Sequence, residues 1–89
     1  MSARYGGSLN GHDVELEFDT KLQVLNRAKL FVDGEQLDDV NVVYGDKDLN
    51  AQLTDGTSIA LRIHSGMLGE LSRAQMSRPD GSWVDLSPR

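Results

Sequence analysis

The chain contains no cysteine. That absence removes disulfides, thiolate metal ligands and a cysteine nucleophile together. An 89-residue domain without cross-links sits near the lower end of what one core can stabilise, so packing alone must hold it. Histidine is scarce, with His12 and His64 the only two. Long apolar runs are missing as well: none approaches the roughly 18 residues that span a bilayer. The first thirteen residues carry one arginine and no apolar segment of the kind found in secretory signals. Together with the missing cysteine, this makes the cytoplasm the expected compartment.

Positive charge is in deficit, with 9 Lys and Arg against 14 Asp and Glu and a net charge of −5. The deficit lies at the front: residues 1–56 carry 5 basic and 11 acidic side chains, and residues 57–89 carry 4 and 3. Nonspecific phosphate binding needs a basic footprint, so nucleic acid is not an expected partner. The one alternative route to it is convergence of Arg62, Arg73 and Arg78. Convincing helical periodicity is absent too, which leaves no Gly-rich loop feeding a helix N-terminus to cradle phosphate.

What is present is alternation. Around Asp55-Gly56, the apolar residues Leu49, Ala51 and Leu53 lead in and Ile59, Leu61 and Ile63 lead out. A two-residue Asp55-Gly56 loop would pair Gln52 with Ile59 and put the two apolar sets on opposite faces. A three-residue loop, Thr54-Asp55-Gly56, pairs Leu53 with Thr57, Ala51 with Ile59 and Leu49 with Leu61. One face is then wholly apolar, with Gly56 left-handed in a G1 bulge.

The rest of the chain follows the same logic. Residues 1–11 are rich in Gly, Ser and Asn and read as a mobile leader; an arm anchored on a partner by Tyr5 is the alternative. Residues 12–89 read as a single β domain. His12 to Asp19 alternates Val14, Leu16 and Phe18 with Asp13, Glu15, Glu17 and Asp19, a half-buried strand with an acidic outer face. That face is read as solvated and protective against edge pairing; a docking surface for a basic partner is the sharper alternative. Lys21 to Val32 leads into an Asp33-Gly34 turn that would pair Leu30 with Leu37; a loop or helical turn over Leu22–Arg27 stays open. Val40, Val42 and Tyr44 form a strand that a four-residue loop, Gly45 to Asp48, would pair with Leu53, Ala51 and Leu49 respectively. After Ile63 the pattern breaks at His64 to Gly69, either a bulge and corner between sheets or a functional loop. A final three-residue loop, Pro79-Asp80-Gly81, pairs Met76 with Val84 and Ala74 with Leu86. The fold class is therefore all-β: a small antiparallel sandwich or flattened barrel of about seven strands in a meander of hairpins.

Constellations for chemistry are thin. Asp46-x-Asp48-x-Asn50 opens like a calcium loop, but Ala51 stands where glycine is required and Thr57 where a bidentate glutamate is required. Asp33, Glu35, Asp38 and Asp39 read as a solvated acidic turn. His64 and Ser65 are adjacent, so on a strand they point apart, which is wrong for a base activating a hydroxyl. Glu15 and Glu17 could imitate a glycosidase pair, yet a thin sandwich offers no cleft for a sugar. No catalytic residue, metal ligand or cofactor is assigned. An enzyme using His64 and His12 with nearby carboxylates, metal-dependent or not, is the alternative from another class.

Trp83, the only tryptophan, stands apart. The last hairpin places it opposite the apolar side of its own strand, with Arg73 and Gln75 on the same face. It serves either as a second core layer or as an interface anchor, a residue type enriched at binding hot spots beside arginine. The expected contact surface is Trp83, Arg73 and Gln75, with Met67 and Leu68 from the irregular loop, and the expected role is protein binding or self-association, possible homodimer included.

One family shares part of this pattern. His12-Asp13-Val14-Glu15-Leu16-Glu17, Val32-Asp33-Gly34 and Tyr44-x-Asp46 resemble the first half of the Fas apoptosis inhibitory molecule family, which carries a similar H-x-[IV]-E-F-E strand and Val-Asp-Gly hairpin. The likeness covers residues 12–46 and departs in the segment linking the two motifs. It implies a β-sandwich that works by protein contact, with no catalytic residues to carry over.

Overall fold

A computed structural model describes residues 2–20, 26–42, 45–66 and 70–89. The segment 21–25, Tyr44, Met67 and Leu68 lie outside the described residues, and with them the open question over residues 22–25, the Tyr44 pairing and the loop part of the expected contact surface. The described residues form two antiparallel sheets, one of five strands in the order Glu35–Val42, Asn26–Val32, His12–Thr20, Ser2–Leu9, Ser87–Pro88 and one of four in the order Gly45–Gln52, Ser58–Ser65, Leu71–Ser77, Trp83–Asp85. The all-β sandwich expected from alternation is the fold observed. None of the described segments is a helix long and apolar enough to cross a membrane.

The first sheet opens with Ser2–Leu9 as β1 and His12–Thr20 as β2. Composition reads the first eleven residues as a mobile leader; the structure instead makes Ser2–Leu9 an inner strand, paired from Ser2 with Asp19 to Leu9 with His12. The reason is the turn. Asn10 and Gly11 have φ of 50° and 80°, a two-residue left-handed turn whose twist matches that of the flanking strands. Gly6 and Gly7 hide the strand's alternation, because neither adds a side chain to the pattern.

Asn26–Val32 forms β3 and Glu35–Val42 forms β4. Asp33 (φ 52°) and Gly34 (φ 86°) make the expected two-residue turn, but Leu30 does not face Leu37. The ladder runs Val32 to Glu35 and Phe31 to Gln36, then skips so that Leu30 faces Asp38. Leu37 is the extra residue of a bulge, and the slip reverses the side of every later residue. Ala28 then faces Val40 and Asn26 faces Val42, bringing both valines to the core. Unbroken pairing would have brought Asp39 and Asn41 there instead.

The second sheet comprises Gly45–Gln52 (β5), Ser58–Ser65 (β6), Leu71–Ser77 (β7) and Trp83–Asp85 (β8), while Ser87–Pro88 (β9) returns to pair with β1. The central hairpin has the register that parity demands: Leu49 faces Leu61, Ala51 faces Ile59, and the Leu53 N–H donates to the Thr57 carbonyl at 2.8 Å. The proposed pairing of Val40 and Val42 with Leu53 and Ala51 does not occur. Gly45 to Asp48 are strand residues facing Ser65 to Arg62, and β4 and β5 belong to different sheets. Two apolar faces can satisfy the same parity by meeting across the sandwich instead of edge to edge; Val42 and Leu49 both reach the shared core that way. A side chain joins the two edges: Asp38 accepts from the Asn50 N–H at 2.9 Å.

The described part of the break after Ile63 carries a bulge inside one sheet and not a corner between sheets; residues 67–69 lie outside the described residues. His64 faces Arg73 while Ser65 faces Leu71, and the extra residue, Ser72, donates its hydroxyl to the His64 carbonyl at 3.2 Å. The last hairpin is as read, with Met76 facing Val84 and the Leu86 N–H donating to the Ala74 carbonyl. An unbroken apolar row, Leu49, Leu61, Met76 and Val84, therefore crosses the whole second sheet. It shares the core with Val14, Leu16, Ala28 and Leu30 of the first sheet.

Candidate interaction surface

The outward face of the four-stranded sheet follows from the same registers. Every residue beside a core residue points away from it, so Asp48, Arg62, Gln75 and Asp85 form one transverse row. Arg62 Nε donates to Asp48 Oδ1 at 3.2 Å, and Gln75 Nε2 donates to Asp85 Oδ1 at 3.1 Å. In the next row Asn50 faces Ala60 and Ser77 faces Trp83. Trp83 is 37% exposed and is the exposed large hydrophobic residue among those described. The Arg62 guanidinium lies over its ring, 4.6 Å from the centroid, a contact worth about 0.5–1 kcal/mol at an exposed site. Small side chains at Ala60 and Ser77 leave a shallow depression beside the pair, walled by Asn50, Gln52 and Ser58.

Of the expected contact residues, Trp83, Arg73 and Gln75 share this one face, as parity requires. Arg62 belongs with them and enters the sequence reading only as a possible nucleic-acid contact. Its tie to Trp83 depends on the β6–β7 register, which the Ser72 bulge conceals. Arg62, Arg73 and Arg78 do not form a basic patch: Arg62 is engaged by Asp48, Arg73 lies in the row of His64 and Asp46, and Arg78 sits in the β7–β8 loop.

The opposite, acidic face carries its own cations. Arg4 reaches Glu17 at 3.1 Å and Glu15 at 3.6 Å, Lys29 reaches Glu17 at 3.9 Å, and Arg89 holds Asp13 at 2.6 Å and Glu15 at 3.3 Å. Cross-strand register makes a ladder of alternating sign, Arg4, Glu17, Lys29 and Asp39. β2 is an interior strand of its sheet, so these carboxylates guard no edge, and basic groups of the same chain already occupy the face a basic partner would need. Arg89 donates to Asp13 and holds its carboxyl below the usual carboxylate range. Its guanidinium lies flat across β1 because position 6 has no side chain; a Cβ there would collide with Arg89 Nε and Cζ. Gly6→Val is therefore expected to expel Arg89 and to return the Asp13 carboxyl toward its ordinary value, seen by carboxyl NMR titration. Exposed pairs of this kind contribute little, so global stability should change little.

The histidines are held apart. His64 Nδ1 contacts Asp46 Oδ1 at 2.8 Å on the outer face, while Ser65 is buried on the other side and accepts from Asn26 Nδ2 at 3.4 Å. His12 lies at the opposite end of β6, beside Asp33 Oδ2 (2.7 Å, from Nδ1) and Asp55 Oδ2 (2.9 Å, from Nε2). The two imidazoles stand roughly 20 Å apart, the length of a strand of six or seven residues. Among the described residues, no cluster of three or more His, Asp and Glu side chains is arranged to hold a metal ion.

No protein-family model matches the chain, and neither a curated protein nor a solved structure is similar to it.

Proposed function

We propose that this chain is a non-enzymatic protein-interaction module, working in the cytoplasm, that engages its partner through the outer face of the four-stranded sheet. One observation carries this reading: an exposed tryptophan is fixed beneath an arginine on a rigid sheet, ringed by polar side chains. Tryptophan and arginine dominate hot spots because they bury large areas and donate hydrogen bonds from a planar body. Trp83 and Arg62 restrain one another before any partner arrives, which lowers the side-chain entropy lost on binding. Gln75, Asp85 and Arg73 supply the polar rim. The likeness of residues 12–46 to a family that acts by protein contact points the same way. The enzymatic alternative is disfavoured because, among the described residues, the ring contacts of both histidines are carboxylates.

Site-specific photo-crosslinking tests the reading. A photoreactive benzoylphenylalanine at Gln75 should yield a discrete protein adduct, and the same group at Lys29 on the opposite face should not. Trp83→Ala should abolish the Gln75 adduct while shifting thermal stability by less than about 1 kcal/mol, since an exposed side chain is lost. Adducts from Lys29 alone, or an adduct indifferent to Trp83→Ala, would overturn it.

A further inference from the structure

We propose that His12 is a proton-operated clasp, which ties the ends of the two sheets together when charged and lets go of the Asp55 turn when neutral. Three turns meet at this end of the sandwich. His12 follows the β1–β2 turn, Asp33 is in the β3–β4 turn of the same sheet, and Asp55 is in the β5–β6 turn of the other. One imidazole reaches both carboxylates, at 2.7 and 2.9 Å.

The requirement is stereochemical. Ionised carboxylates only accept hydrogen bonds, so both contacts need an N–H, and imidazole has two only as the cation. A neutral ring keeps one donor and turns a lone pair on the other carboxylate. The bond within the sheet is the one that survives. Asp33 is also fixed by the Asp13 N–H at 2.8 Å, which keeps it beside Nδ1. Asp55 is secured within its own turn by the Thr57 N–H at 2.9 Å, so that turn can move away as a unit.

The surroundings supply the force. A cavity of about 480 Å³ lies between the turns, with Val32, Leu37 and Leu53 among its apolar walls. The charged groups lining it are His12, Asp33, Glu35 and Asp55, and nearby Asp13 is held by Arg89. His12 is the one cation among these lining residues; deprotonation leaves the Asp33 and Asp55 carboxylates without the charge between them, with Glu35 lining the same cavity. Hydrogen bonds to Asp33 and then Asp55 raise the His12 pKa, and the bond from His12, followed by those from Thr57, lowers that of Asp55 to about 2. A raised histidine pKa stabilises below its unfolded value and loses that contribution as pH climbs through the folded one. The clasp is thus closed in mild acid, where Asp55 is still ionised, and opens on the alkaline side.

NMR on the unmodified chain tests this between pH about 5 and about 9, the range where imidazoles titrate. The His12 ring should carry two protons at the acid end and titrate with a midpoint above the ordinary 6.5. Once neutral it should keep its proton on Nδ1. The Thr54 to Thr57 amides should shift and exchange faster with that same midpoint, and Asp55→Asn should lower the midpoint and abolish the coupled amide change. Turn amides that stay silent through the His12 titration, a midpoint at or below 6.5, or a neutral ring protonated on Nε2 would each overturn the proposal.

Discussion

Replacing Leu61 by alanine is expected to cost about 2–5 kcal/mol, the range for emptying a fully buried leucine site. Leu61 has no exposed surface and occupies the second strand of its sheet, between Leu49 and Met76. Its neighbours belong to three hydrogen-bonded strands and cannot collapse into the space without bending the sheet, so the cavity term should be large. A domain of this size has a total stability of roughly 5–10 kcal/mol. The loss is therefore about a fifth or more of the whole, with a fall in Tm of roughly 8–40 °C. Urea denaturation should show a lower midpoint at unchanged m-value. A cost below about 1 kcal/mol would mean that the transverse apolar row is not the centre of the core.

The next largest effect is expected at Gly56. Its φ is 91°, and no atom lies within 4 Å of where a Cβ would stand. Steric room is thus available and the penalty is purely one of backbone conformation. A β-branched residue avoids left-handed φ strongly, so Gly56→Val should cost about 2 kcal/mol. The three-residue loop leaves no other solution: a two-residue turn would reverse the parity of β6 and turn Ile59, Leu61 and Ile63 outward. Urea denaturation reads the cost, and an unchanged midpoint would contradict this turn geometry. Gly6 is the converse, with an ordinary φ and blocked space, and its effect is local.

Short-range parity made most of this fold legible. The Leu49–Ile63 and Met76–Val84 registers follow from counting loop residues against alternation, and both hairpins are as counted. Parity could not say whether two apolar faces pair edge to edge or stack across a core. Val42 and Leu49 consequently share the core across the sandwich instead of a ladder, with Val40 packed against it. The Leu37 bulge was hidden because an extra residue in a strand leaves no mark in composition. β1 escaped notice because Gly6 and Gly7 erase its pattern, although Asn10-Gly11 announced the turn. The face around Trp83 was half legible: Arg73 and Gln75 follow from the last hairpin, whereas Arg62 needs the bulged β6–β7 register. His12, Asp33 and Asp55 are separated by 21 and 43 residues and meet only because three turns gather at one end of the two sheets.

The most direct measurement is the fluorescence emission maximum of Trp83, the single tryptophan, followed through a dilution series and then with the crosslinked partner added. Red-shifted emission is expected from the free chain, because Trp83 is 37% exposed on the outer face of the sheet, and a blue shift is expected when a partner or a second copy covers it. Blue-shifted emission that persists at every dilution of the free chain would place Trp83 in a core and contradict the interaction face.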